Sequence, residues 1–95
     1  EEFAIILPHT SKEGAIFLAE RLREISEGQA PGEIIDHTYI PGYTISLGVA
    51  TFPYDGITVP AILRAADNAE MNAKRLGKNR VCAAEPSENF FSEQA

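Results

Sequence analysis

Apolar and polar residues alternate with two different rhythms along this chain, and each rhythm predicts an element. Phe3, Ala4, Ile5, Ile6 and Leu7 run without interruption up to Pro8, which is the pattern of a buried strand. The spacing then changes to three and four. Ala15, Leu18, Ala19, Leu22 and Ile25 form one stripe of a helix that reaches about Ser26. Thr10 and Glu13 stand at capping-box spacing, with Thr10 as the N-cap, and Gly28 is the expected stop. Glu20, Arg23, Glu24 and Glu27 fall on the wet face, where Arg23 and Glu27 can pair at i,i+4.

The stretch from Gln29 to Gly42 has turn signals at Pro31-Gly32 and Pro41-Gly42. Between them, Ile34-Ile35 and Thr38-Tyr39-Ile40 suit a short edge strand, and His37 reads as a loop residue. From Tyr43 to Phe52 the period is two. Tyr43, Ile45, Leu47 and Val49 make a bulky face, while Thr44, Ser46, Gly48 and Ala50 make a small one. A small face admits close approach by a helix or a ligand. Pro53-Tyr54-Asp55-Gly56 reads as a turn.

A second helix follows, with Thr58 as N-cap, Pro60 in its first turn and Gly77 at its end. Ile62, Ala66, Ala69, Ala73 and Leu76 form its stripe. Val81 to Ala84 is a last strand. Residues 1–84 thus read as one unit and 85–95 as a polar tail, in which nothing assigns a role to Phe90-Phe91. The order strand, helix, strand, helix, strand argues for an α/β sandwich.

Composition narrows the function. Eight basic residues against fourteen acidic ones give a net charge of −6, which argues against a general binder of nucleic acid or anionic membranes. Cys82 is the only cysteine, so no internal disulfide forms, and it reads as a small strand residue. Neither His9 nor His37 has a partner at metal-ligand spacing, which rules out a zinc site of the usual pattern. No apolar run reaches the roughly 18 residues of a membrane span. Half of the basic residues, Lys74, Arg75, Lys78 and Arg80, sit in one short stretch. They serve either to complement the negative end of the second helix or to bind an anion.

Three blocks carry a family resemblance. Ala66-Asp67-Asn68-Ala69 with Ala73-Lys74-Arg75-Leu76-Gly77-Lys78-Asn79-Arg80 resembles the closing signature of GGDEF domains, the diguanylate cyclases. Thr44, Ser46 and Gly48-Val49-Ala50 resemble the matching strand. Glu1-Glu2-Phe3 resembles the last three letters of the Gly-Gly-Asp/Glu-Glu-Phe signature, whose glycines would lie upstream. A buried strand that begins at residue 3 adds to the expectation that the native polypeptide extends upstream. Two departures stand out: Glu70 replaces an apolar residue, and Met71 stands where tyrosine is usual.

The resemblance implies a ferredoxin-like, nucleotidyl-cyclase-like fold with both helices on one face of a sheet. Phe3–Leu7 and Tyr43–Ala50 would be its interior strands. It implies condensation of two GTP molecules into cyclic di-GMP by a catalytic homodimer, with pyrophosphate released and magnesium (Mg2+) or manganese as cofactor. By position, Glu1 would bind the metal and help deprotonate the attacking hydroxyl, with Glu2 the acidic residue beside it. Lys74 and Lys78 would hold the triphosphate, and Arg21 would contact bound product. The domain would be cytoplasmic, tied to a membrane only through upstream domains. A degenerate domain that binds GTP or cyclic di-GMP without catalysis, and a small acidic interaction domain, remain as alternatives. The 95 residues alone are expected to be inactive, and marginally stable or self-associating through open strand edges.

Overall fold

The computed structural model describes residues 2–29, 32–40 and 42–86. Glu1, Phe90 and Phe91 lie outside them, as does the tail beyond residue 86. The described elements are α1 (Lys12–Gln29), β1 (Glu33–Ile35), β2 (Thr38–Ile40), β3 (Leu47–Val49), α2 (Val59–Arg75) and β4 (Val81–Ala83). β1 and β2 pair antiparallel, and β3 and β4 pair parallel. Two helices and two small sheets make this a mixed α/β unit, as the alternation predicts.

Ser11, not Thr10, caps α1. Its hydroxyl accepts from the Gly14 N–H at 3.0 Å, and its carbonyl accepts from the Ala15 N–H at 2.9 Å. The Thr10 hydroxyl is spent on the Pro8 carbonyl, at 2.9 Å. This hydrogen bond closes a turn in which His9 has φ 51°, so the cap passes to the next hydroxyl. The helix also runs through Gly28 to Gln29. Ala19 is buried, Ala15 and Leu22 are half-buried, and Leu18 and Ile25 at the margins of the stripe stay exposed.

Asp36 and His37 join β1 to β2 with φ 50° and 65°. Positive φ at both central residues defines the two-residue hairpin turn whose twist matches its strands. The expected edge strand is therefore a complete hairpin. Its ladder binds it to itself, and no other described element packs on it.

The interior rests on β3–α2–β4. Leu47 pairs with Val81, Gly48 with Cys82 and Val49 with Ala83, and hydrogen bonds from Leu47 N–H to Arg80 C=O and Ala84 N–H to Val49 C=O continue the ladder. Thr58 caps α2 as expected, accepting the Ala61 N–H at 3.2 Å. Ala69 and Ala73 are buried, with Ala73 fully so. The small face of β3 meets this helix: a Cβ added to Gly48 would lie 2.1 Å from the Ala66 carbonyl oxygen. A helix rather than a ligand thus occupies that face. Both helices pack on β3 and β4, but they make no close backbone approach to one another.

Two expected strands are corrected. Residues 2–7 form no regular element, and Phe3 and Ile6 are 87% and 86% exposed. From Tyr43 to Phe52 only Leu47–Val49 is strand. Apolar pattern supplies the propensity for a strand, but a neighbour supplies its ladder. Among the described residues only β4 provides one for β3, and none does for residues 2–7.

One polar contact locks the unit. Asp55 is buried in the turn after β3, where one carboxylate oxygen accepts the Thr51 N–H at 2.7 Å and the other meets Lys12 Nζ at 2.9 Å. Lys12 also donates to the Ala84 carbonyl at 3.1 Å. The start of α1, the β3–α2 turn and the end of β4 therefore share one ammonium. A buried carboxylate persists only when it is paired and hydrogen-bonded in this way.

Candidate functional site

The basic stretch begins where α2 stops. Gly77 takes φ +129°, its N–H donates to the Lys74 carbonyl at 3.3 Å, and the Lys78 N–H donates to the Ala73 carbonyl at 2.9 Å. These two bonds are the Schellman arrangement, which satisfies carbonyls that the helix end leaves open. Lys74 lies within the last turn and Lys78 beyond it. The two lysines therefore do not share a helical face through i,i+4 spacing, because the chain has left the helix before Lys78.

Lys78 and Asn79 themselves take φ 65° and 49°. Asn79 is tied on three sides. Its N–H donates to Ser46 Oγ at 3.2 Å, its Oδ1 accepts from Arg23 Nη1 at 3.1 Å, and its Nδ2 donates to the Glu27 carboxylate. Arg23 in turn pairs with Glu20 at 3.2 Å and Glu27 at 3.7 Å. Hydrogen bonding to Glu20 raises the Arg23 pKa above its ordinary value, against a lesser opposing effect of burial. The expected Arg23–Glu27 pair is present, but as part of this larger network.

Lys74 carries an ion pair as well. Its Nζ stands 3.0 Å from Glu70 Oε1. The neighbouring Glu70 carboxylate raises the Lys74 pKa, and Glu2 and Asp67 add to the effect. Although this distance defines an ion pair, Glu70 Oε1 finds no partner of full hydrogen-bond geometry among the described residues. Lys78 is exposed, and its ammonium makes no hydrogen bond or ion pair among the described residues. Arg75 donates to Asn72. Arg21 is exposed on α1 and belongs to neither group.

Carboxylates gather beside Lys74: one oxygen each from Glu2, Asp67 and Glu70 lies within 4.8 Å of the others. An all-oxygen donor set is the kind that a hard divalent cation takes. Chemically the set fits the metal implied by the resemblance, although the Lys74 ammonium already neutralises part of it. Glu1, the residue expected to bind metal, lies outside the described residues. The structure thus brings Glu2 and Lys74 together, leaves Arg21 apart, and adds Asp67, Glu70 and Asn79. The departure of Glu70 from the family pattern was the signal for its partner. Asn79 gave none beyond its place in a motif, since its side-chain contacts come from α1, about fifty residues away in sequence.

The described elements define a mixed α/β unit with a basic helix end beside a carboxylate cluster. Residues 1–80 match the sequence profile of the family described as "Diguanylate cyclase, GGDEF domain", and the chain belongs to that family. It is 36% identical over 81 residues to the "Response regulator PleD" of Caulobacter vibrioides, covering 85% of this chain and 18% of the relative. It is 34% identical over 84 residues to the "Diguanylate cyclase A" of Treponema denticola, covering 85% of this chain and 21% of the relative. It is 36% identical over 88 residues to the "Uncharacterized protein YhcK" of Bacillus subtilis, covering 93% of this chain and 24% of the relative. The chain spans about one fifth of the length of these relatives. No solved structure gives a significant match. Among the described residues, no helix is long and apolar enough to cross a membrane.

Proposed function

We propose that this chain is part of a diguanylate cyclase catalytic domain, which condenses two GTP molecules into cyclic di-GMP in the cytoplasm. The family match over residues 1–80 carries the reading. The exposed Lys78 ammonium, which has no partner among the described residues, supports a phosphate contact there. Lys74, at the end of α2, would join it after exchanging Glu70 for phosphate oxygens. Cations held at a fixed place stabilise the charge that builds on a transferring phosphoryl group.

Glu1 and Glu2 would hold magnesium or manganese, with Asp67 as a neighbouring oxygen donor and Glu70 engaged by Lys74. When bound, the metal neutralises the triphosphate and activates the attacking 3′-hydroxyl. Glu1 would help take that proton, and Arg21 on the separate face of α1 would contact product. The second GTP would arrive on another GGDEF domain, as a homodimer requires.

A second reading is a domain that binds GTP or cyclic di-GMP without catalysis. Glu70 and Met71, which depart from the family pattern, favour it. GTP titration and turnover by the intact protein test both readings. The Lys74→Ala, Lys78→Ala double variant should lose roughly ten- to a hundredfold in GTP affinity or turnover. Unchanged affinity removes the phosphate clamp. Tight GTP binding by the parent without turnover selects the second reading.

A further inference from the structure

We infer that Asn79 is a positioning residue for Lys78, tying the turn that carries this ammonium to α1 through Arg23 and Glu27. The inference rests on the phosphate reading of Lys78 and deepens it. Gly77, Lys78 and Asn79 are three consecutive residues at positive φ. That conformation costs energy for residues with a Cβ and persists where surrounding contacts hold it. Asparagine tolerates it, commonly by bonding to its own backbone neighbours. Here the side chain bonds elsewhere. Oδ1 accepts from Arg23, Nδ2 donates to Glu27, and the backbone N–H reaches Ser46 on the approach to β3.

The chemistry fixes the orientation of the amide. A flipped Asn79 would set its NH2 against a guanidinium and its oxygen against a carboxylate. Arg23 is itself held by Glu20 at 3.2 and 3.3 Å, so the clamp is organised before any ligand arrives. The Lys78 ammonium makes no hydrogen bond or ion pair among the described residues, while its backbone N–H donates to the Ala73 carbonyl at 2.9 Å and its own carbonyl accepts from Arg80 Nε at 3.1 Å. The direction of the ammonium therefore depends on the backbone of this turn, which the two Schellman bonds tie to α2, Arg80 holds at the Lys78 carbonyl, and, among the described residues, Asn79 alone ties to α1. A flexible lysine gains most from such an anchor, because a fixed Cα shortens the search its ammonium must make.

The test uses the intact protein. GTP affinity and melting temperature are measured for the parent, Asn79→Gly, Lys78→Ala and the double variant. Glycine accepts positive φ without strain, so Asn79→Gly removes the clamp and leaves the backbone permitted. It should weaken GTP about tenfold. The double variant should bind no more weakly than Lys78→Ala alone, since Asn79 acts through Lys78. Arg23→Gln on α1 provides the same non-additive loss, smaller in size, from a residue whose replacement leaves the turn sequence intact. Full GTP affinity in Asn79→Gly, or a loss that persists unchanged in the Lys78→Ala background, overturns the inference. Lys78→Ala with parental affinity overturns the phosphate reading and the positioning role together. A weakened Lys78→Ala beside an unaffected Asn79→Gly overturns the positioning role alone.

Discussion

Gly48 and Ala66 are packed backbone to backbone: a Cβ at Gly48 would sit 2.1 Å from the Ala66 carbonyl oxygen and 2.4 Å from the Glu70 nitrogen. Neither neighbour is a side-chain tip that can swing away. Gly48→Ala must therefore push α2 off β3, or bend β3. Overpacking of this kind costs about 1–3 kcal/mol, and the backbone contacts put this site at the upper end. Chemical denaturation of the intact protein measures it. Because α2 carries Lys74 and leads into Lys78, GTP affinity should fall together with stability.

Asp55 and Lys12 give a second measurable contact. The Asp55 side chain is fully buried, whereas Lys12 keeps 21% of its side-chain exposure. Removing one partner of a buried pair costs about 3–5 kcal/mol. The partial exposure of Lys12 lets water take over some of its charge, which puts Asp55→Ala near the lower end. Asp55→Asn should cost less, since an amide oxygen can still accept the Thr51 N–H. Equal losses for the two variants in a denaturation series would show that the charge alone holds this turn.

What the sequence revealed and what it hid follow from the range of the interactions. The α2 cap at Thr58 and its stop at Gly77 were legible because Ser/Thr/Asp/Asn caps and glycine stops act within a few residues. The small face of β3 was legible from alternation alone, and Gly48 shows why it is small. Thr10 misled because two adjacent hydroxyls both suit a cap, and the Pro8–His9 turn decides between them. Phe3–Leu7 misled because apolar pattern cannot report whether a neighbouring strand is there to pair. For the candidate site, charge and resemblance pointed to Lys74 and Lys78. The Arg23–Asn79–Glu27 clamp was not, because no local pattern joins residues on α1 to a turn beyond α2.

The Lys74–Glu70 ion pair predicts an alkaline signature. The neighbouring Glu70 carboxylate raises the Lys74 pKa above its ordinary 10.5. A cation whose folded pKa is raised contributes stability that is fully present below the unfolded value and lost as pH rises through the folded one. The stability difference between the parent and Lys74→Gln should therefore stay flat from neutral pH to the ordinary lysine range and close above it. Denaturation curves across that range check this. A difference that closes well below the ordinary lysine value would assign it to another group.

Glu70 should also act on the ligand. It holds Lys74 Nζ at 3.0 Å, so a triphosphate must displace it to gain that cation. Glu70→Gln keeps the size of the side chain and removes the competing charge. GTP affinity in the intact protein should then rise several-fold, roughly three- to tenfold, as expected for releasing one partly exposed ion pair. The gain should shrink with added salt, which screens exposed charges, and vanish in a Glu70→Gln, Lys74→Ala double variant. GMP, which lacks the outer phosphates, should show a smaller gain. The opposite sign is informative. If Glu70 instead lends its oxygen to a divalent cation together with Glu2 and Asp67, Glu70→Gln should weaken GTP binding and raise the magnesium concentration needed for it. Titrating GTP at several magnesium concentrations separates a competitor for Lys74 from a ligand for metal.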